Sequence, residues 1–285
     1  MRRTVALLTC HNRRDKTVAC LAALFGGERP AGMALEGLLV DDGSADGTAS
    51  AVTAQFRDVR VLQGDGNLYW AGGMRLAFGE ALKKDYDFYL FLNDDTILER
   101  GALAALFRTY DYAQKVSSRV GAIVGTAYDP QSGRATYGGL RRTSWWRPLK
   151  LDLVLPGSEP SRCDSMNTNC VLVPRGVAQE IGNFDRAFTH RIADIDYGLR
   201  ARGAGFANWV MPGFAGACGN DHRLEGAWVN PATPFRERIR QVLHVKGLPI
   251  REWMVFTRRH GGLLWPAYWL WPYCKILLTS TLKRG

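Results

Sequence analysis

Residues 86–97 read YDFYLFLNDDTI, an apolar, aromatic-rich run that ends abruptly in Asn93-Asp94-Asp95-Thr96. Such a run, with no polar alternation, is the pattern of a strand buried on both faces of a sheet. Adjacent carboxylates at the end of that strand repel one another unless a cation or a donor-rich ligand stands between them. In open α/β sheets, ligands gather beyond the carboxyl ends of the strands. The stretch therefore points to a buried strand delivering carboxylates to a site, most simply a divalent metal carrying a phosphate. The alternative is an acidic turn capping the next helix through Asp95 or Thr96.

The order of the surrounding segments extends this reading. Short apolar strands at 4–9, 37–40 and 59–62 alternate with helical stretches at 15–25 and 48–56, and a glycine-rich loop at 64–73 leads into a helix at 74–83. Strands that each end in polar residues and alternate with helices predict a doubly wound, mostly parallel sheet with helices on both faces. Asp41-Asp42, at the end of the second strand, is a second carboxylate pair. A nucleotide site uses this mixture: one carboxylate accepts from a base N–H or a ribose hydroxyl, another holds a metal against the diphosphate. The sequence contains no G-x-x-x-x-G-K-[ST], and residues 64–73 are not G-x-G-x-x-G, which argues against a P-loop NTPase and a dinucleotide dehydrogenase.

Further along, a helix is expected at 101–115, a strand at 120–126, an aromatic excursion at 128–160 with Trp145-Trp146, a strand within 164–174 and a helix at 175–181. The excursion reads either as plain surface or as an acceptor-side flap. Asp194 and Asp196 then precede a helix at 197–202, and a last strand follows at 208–211. Carboxylates at a helix start are favoured by the helix dipole, or they supply a general base.

At 285 residues the chain has room for one large α/β domain or one domain with an appendage. Six scattered cysteines without a C-x-x-C pair read as reduced, buried thiols of a cytosolic protein. The apolar run at 5–9 is too short for a signal peptide. Of the net charge of +10, +8 falls within residues 231–285, so the tail seeks an anionic surface. Residues 236–246 and 250–260 read as amphipathic basic helices. The uncharged run 261–274, 14 residues containing Pro266 and Pro272, is shorter than the ~20 needed to span a bilayer. Its aromatics Trp265, Tyr268, Trp269, Trp271 and Tyr273, flanked by Arg258-Arg259 and Lys275, suit the headgroup region of an anionic leaflet. The alternative is packing on the catalytic domain or on a dimer partner. Nucleic acid fits poorly, because the aromatics cluster instead of interleaving with the charges.

Together, T-C-H-N-R at 9–13, V-D-D-G-S at 40–44, G-N-L-Y-W-A-G-G at 66–73 and L-N-D-D-T at 92–96 resemble inverting family 2 glycosyltransferases, most of all the rhamnosyltransferase-like branch. The resemblance covers about residues 4–225, and its motifs are specific as a set and weak singly. It implies a GT-A fold, a nucleotide-diphosphate sugar donor and a Mn²⁺ or Mg²⁺ cofactor. By the same resemblance, Thr9, Asn12 and Arg13 line the nucleotide pocket, Asp41 contacts the base, and Asp42 or Gly43 lies near the ribose. Asn67, Gly72 and Gly73 border the sugar-diphosphate, with Asn93 and Asp94 also on the donor side, and Asp95 is the metal ligand. Asn93 stands where many members carry Asp. Residues 184–206 resemble the family's E-D-x-D segment, which makes Asp194 the general base, with Asp196 the fallback on the acceptor side beside Trp70; Ala193 replaces the usual Glu. His222 occurs where GT-A enzymes commonly supply a metal-binding histidine, with Asp221 behind it.

The expectation is a catalytic unit over 1–225 and a helical, membrane-surface extension over 226–285, at the cytoplasmic face of the cell membrane. The chain would move a hexose such as rhamnose to a polysaccharide or lipid-linked acceptor. Two rivals stand beside it. A sugar nucleotidyltransferase wants a glycine-rich first loop, which Cys10–Arg14 lacks. A non-catalytic sugar-binding scaffold is kept open by Ala193 and Asn93. Donor base, acceptor, linkage and oligomeric state are not encoded in these spacings.

Overall fold

The computed structural model describes residues 1–190, 192–219, 227–230 and 232–281. In chain order the first half comprises β1 (Arg2–Cys10), α1 (Arg14–Gly26), β2 (Met33–Asp41), α2 (Thr48–Gln55), β3 (Val59–Gln63), α3 (Tyr69–Ala81), β4 (Phe88–Leu92), β5 (Ile97–Leu98) and α4 (Ala102–Val116). The second half adds β6 (Val120–Tyr128), β7 (Ala135–Tyr137), β8 (Gly139–Arg142), β9 (Leu151–Leu153), β10 (Ser161–Cys163), β11 (Ser165–Met166), β12 (Cys170–Pro174), α5 (Arg175–Ile181), α6 (Ala193–Gly203) and β13 (Ala207–Ala217). Three further helices close the chain: α7 (Phe235–Leu243), α8 (Ile250–His260) and α9 (Trp265–Thr281).

The main sheet runs β10-β13-β6-β12-β4-β1-β2-β3. Strands β3, β2, β1 and β4 are parallel, β12 enters antiparallel beside β4, and β13 runs parallel to β6. A separate three-stranded sheet, β11-β8-β9, takes β8 and β9 from the aromatic excursion, which is therefore partly strand. Both faces of the main sheet are covered. Leu7, Tyr89 and Phe91 point into a layer shared with α3 and α6, while Leu8, Phe88 and Leu90 meet α1 and α4. This two-sided burial is why β4 shows no polar alternation. Phe78 of α3 sits among Phe91, Phe184 and Tyr197 at centroid separations of 5.0, 6.1 and 6.1 Å. Truncating such a ring costs about 3–5 kcal/mol, so this cluster fixes α3 and α6 over β4.

Two sequence expectations change. Helix α3 begins at Tyr69, inside the segment expected to be loop. Its first amides are satisfied by Asp42, a residue 26 positions away, which no local pattern reveals. Asp95 and Thr96 do not cap a helix either, because β5 intervenes and α4 starts at Ala102. Five cysteines are buried, as the reduced-thiol reading expected, but Cys274 is exposed on α9.

The C-terminal helices pack onto the sheet domain. Phe256 of α8 enters the core cluster shared by β4 and α6. Arg238 is 1% exposed, donating from Nε to the Trp228 carbonyl and from Nη2 to Thr279 Oγ1. Arg259 pairs with Asp185 and Asp196. At least two of the tail's cations therefore serve internal contacts instead of facing an anionic surface. No described helix is long and apolar enough to cross a membrane.

Candidate functional site

A cavity of about 590 Å³ opens beyond the carboxyl ends of β1, β2 and β4. The parallel register sets Cys10 level with Asp41, so the polar residues after these strands emerge together. Of the residues expected at a site, Thr9, Arg13, Asp42, Trp70, Asn93, Asp94, Asp95 and Asp194 line it.

The β4 end forms its floor. Arg13 donates from Nη1 to Asp94 Oδ1 at 3.2 Å and from Nη2 to Asp95 Oδ2 at 2.6 Å, so a fixed cation bridges the carboxylate pair. Thr17 Oγ1 donates to the other Asp94 oxygen at 3.3 Å. Burial pushes the Asp94 pKa up to about 7; Arg13 opposes the rise, and the neighbouring Asp95 adds to it. Asp95 Oδ1 faces Cys218 Sγ at 3.5 Å. Burial, with Asp95 beside it, raises that thiol to about 12. Asn93 Oδ1 accepts from Trp70 Nε1 at 2.9 Å, which ties α3 to the strand end.

Asp42 does other work. Its carboxylate accepts three backbone N–H groups, from Gly66 at 2.8 Å, Leu68 at 3.0 Å and Tyr69 at 3.1 Å. It thereby latches the 64–73 segment over the cavity and caps α3. Asp41 turns inward and accepts the Ser44 amide at 3.0 Å; Asp41 and Gly43 lie off the cavity. Asn12, at φ +51°, clips two loops by accepting the Ala45 amide at 2.8 Å. Asn67 is exposed beside Asp65. Gly72 and Gly73 are buried packing positions: a Cβ on Gly73 would meet Thr9 Oγ1 at 2.1 Å. The helix passes that close to β1 only because this residue has no side chain.

The start of α6 also lines the cavity. Asp194 Oδ1 accepts the Ile195 amide at 2.8 Å, and Oδ2 accepts the Thr168 amide at 3.4 Å. Burial raises the Asp194 pKa to about 6 against these donors. Ile192, just before it, has φ +61°, and Tyr69, which also lines the cavity, has φ +52°. Left-handed backbone at a β-branched residue costs energy, and such strain collects at functional sites. Asp196 points away from the cavity. It is fully buried and meets Arg200 at 2.8 Å, Arg259 at 2.6 Å and His260 Nε2 at 2.8 Å. Its surroundings are those of a structural ion cluster, and it does not line the cavity.

Four contributors to the lining have no counterpart in the sequence reading: His190, Tyr137, the Asn167-Thr168-Asn169 triplet and Lys246. The triplet stands at the start of an apolar strand antiparallel to β4, so its polarity was a usable signal once that pairing is known. Lys246, from the turn between α7 and α8, carries none. His222 and Asp221 lie outside the described residues.

Residues 6–167 match the family described as Glycosyl transferase family 2. That is more than half of the chain, and the chain belongs to this family. A curated relative, the N-acetylglucosaminyl-diphospho-decaprenol L-rhamnosyltransferase of Mycobacterium tuberculosis, is 26% identical over 212 residues; the match covers 65% of this chain and 65% of the relative. The chain thus spans just under two thirds of that relative's length. Among solved structures, the mannosyltransferase PcManGT from Pyrobaculum calidifontis, in complex with GDP-Man and Mn2+, superposes with a TM-score of 0.59 at 16% identity, over 98% of this chain and 73% of that one. S. aureus TarS gives 0.54 at 13% identity, over 90% and 70%. At such identities the likeness establishes the fold, which is the GT-A-type architecture that the motifs implied.

Proposed function

We propose that the cavity is the donor and acceptor site of an inverting glycosyltransferase. It takes a hexose such as rhamnose from a nucleotide-diphosphate sugar and places it on a lipid-linked or polysaccharide acceptor at the cytoplasmic face of the cell membrane. The observation that carries this reading is that Asp194 and the Arg13–Asp94–Asp95 cluster line one cavity. An inverting transfer needs a base on one side of the sugar carbon and stabilisation of the leaving diphosphate on the other. The 26% identical relative, named as a rhamnosyltransferase acting on a diphospho-decaprenol compound, supports the sugar and acceptor class.

In this mechanism Asp194 accepts the acceptor hydroxyl's proton at a carboxylate oxygen as that hydroxyl attacks the sugar carbon. Its pKa of about 6 keeps it ionised at neutral pH yet basic enough to take a proton. Arg13, held by two carboxylates, offers a fixed positive charge to the diphosphate side. The pair Asp94–Asp95 already requires a cation in this structure, and an oxygen-rich set of Asp95 and diphosphate oxygens suits Mn²⁺ or Mg²⁺. When bound there, the ion would act as a Lewis acid for the departing diphosphate. Asp95 would hold it, with His222 the expected second ligand. Residues 1–225 carry the chemistry in this reading, and 226–285 the surface contacts together with Lys246.

The test is a thermal-shift screen of UDP, dTDP, GDP, CDP and ADP, each with Mn²⁺, Mg²⁺ or EDTA. A ligand at ~100 times its Kd adds ~2.7 kcal/mol of stability. A metal-dependent shift with one diphosphate is expected. Folded protein that shifts with none would overturn the reading as an active enzyme.

A further inference from the structure

Away from the cavity, a second concavity of about 530 Å³ is lined by Arg141, Arg142, Arg162 and Arg202 around the single carboxylate of Asp164, with Trp145 at its side. The guanidiniums are anchored mostly by neutral acceptors. Arg141 Nη2 donates to the Arg162 carbonyl. Arg142 Nη2 donates to the His260 carbonyl at 3.5 Å, and Arg162 Nη2 to Ser117 Oγ at 3.0 Å. Arg202 alone pairs with Asp164, at 2.8 Å. Within the lining of the concavity, four cations thus share one carboxylate. Burial, helped by Arg202, pushes the Arg142 pKa down despite Asp164.

This concavity adjoins an exposed apolar face. Trp145 is 93% exposed, Leu263 99% and Leu264 62%. On α9, the exposed Leu270, Trp271, Leu277 and Leu278 recur at helical spacing on one side. The other side of α9 is committed: Ile276 is fully buried, and Tyr273 donates to the Leu248 carbonyl at 2.7 Å. Two contacts join the arginine loop to this region, Arg142 to His260 and Tyr268 Oη to the Trp146 carbonyl at 2.6 Å.

We propose that Arg141, Arg142, Arg162 and Arg202 form a binding site for the phosphate of an anionic lipid headgroup, and that this site and the outer face of α9 together dock the protein on an anionic bilayer. The charge assigns the occupant. An apolar stripe alone would suit a second copy, but beside four arginines a second copy would bring four more. A bilayer of anionic lipid presents phosphates at the level where interfacial tryptophan and leucine side chains insert. The inference deepens the membrane-surface part of the proposed function and adds to the tail, of whose cations Arg238 and Arg259 are internal, a second cluster in the β8–β10 region.

The test is co-sedimentation of the full chain with phosphatidylcholine vesicles, with and without phosphatidylglycerol, at low salt. Wild type is expected to partition onto the phosphatidylglycerol vesicles. Arg141→Glu should weaken partitioning roughly tenfold or more, while Arg57→Glu, an equal charge reversal after α2, should leave it within about twofold. Leu270→Asp with Leu277→Asp should weaken it as well. Equal loss with Arg57→Glu and Arg141→Glu would mean diffuse attraction and overturn the site. Stabilisation by inorganic phosphate without vesicle binding would assign the concavity to a free anion and overturn the docking. A change in oligomer size with the α9 variants and unchanged vesicle binding would assign the stripe to a second copy. These variants leave the catalytic cavity untouched, so turnover of a soluble acceptor reports separately on the proposed transferase.

Discussion

Asp194 and Asp196 stand two residues apart at the start of one helix and occupy opposite environments. Asp194 faces the cavity with only amide donors, and its pKa rises to about 6. Asp196 lies on the far side, where burial would raise its pKa but His260, Arg200 and Arg259 hold it below the usual carboxylate range. About half a helix turn thus separates a carboxylate suited to taking a proton from one that fastens the C-terminal helices.

Asp194→Asn should abolish turnover, with a loss of about 10²–10⁴-fold in kcat, and leave nucleotide binding intact by thermal shift. In the wild type the base must be ionised, so activity should fall as pH drops through about 6 and plateau above it. A pH–rate profile with no acid limb near that value would remove Asp194 from the role.

Asp196→Asn leaves Arg259 and Arg200 facing a neutral amide in a buried site. A loss of about 3–5 kcal/mol is expected in urea denaturation. Because the folded pKa is depressed, the stabilisation by Asp196 is present above its unfolded pKa of about 3.9 and is lost as pH falls towards the folded value. The wild type should therefore lose stability below about pH 4 more steeply than the variant.

Asp42→Asn replaces a carboxylate that accepts three amides with a group that has one acceptor oxygen and two donors of its own. The loss should be about 1.5–3 kcal/mol locally, read as faster hydrogen exchange at Gly66, Leu68 and Tyr69. Unchanged protection there would show that the loop is held by something else.

Gly73→Ala places a methyl 2.1 Å from Thr9 Oγ1 and 2.7 Å from Thr9 Cβ. Since the second atom lies next to backbone, α3 must shift, at a cost of about 1–3 kcal/mol. Trp70 then loses its alignment with Asn93, and activity should fall along with the denaturation midpoint.

The parallel half of the sheet was legible because its signals are local: apolar strands, polar strand ends and helical spacing between them. The residues that came together in the cavity, Thr9, Arg13, Asn93, Asp94, Asp95 and Asp194, all belong to such strand ends or to a helix start. What stayed hidden depends on distant partners. Asp42 looks like a ligand residue and is a latch, because the amides that occupy it lie 24–27 positions away. Asp196 is indistinguishable from Asp194 in the chain until Arg259 and His260 are placed behind it. Lys246 reaches the cavity only through the turn that joins α7 to α8.

The docking of α8 also bears on how the protein is made. A chain synthesised from its N-terminus presents β1 through β13 before α8 exists. Until then Asp196 has Arg200 but neither Arg259 nor His260, the Thr189 amide lacks its Glu252 acceptor, and Phe256 has not filled its place in the core. The cavity's final wall arrives with Lys246, only a few residues ahead of that helix. A nascent chain paused before α8 would hold its sheet while Asp196 still lacks two of its three side-chain partners.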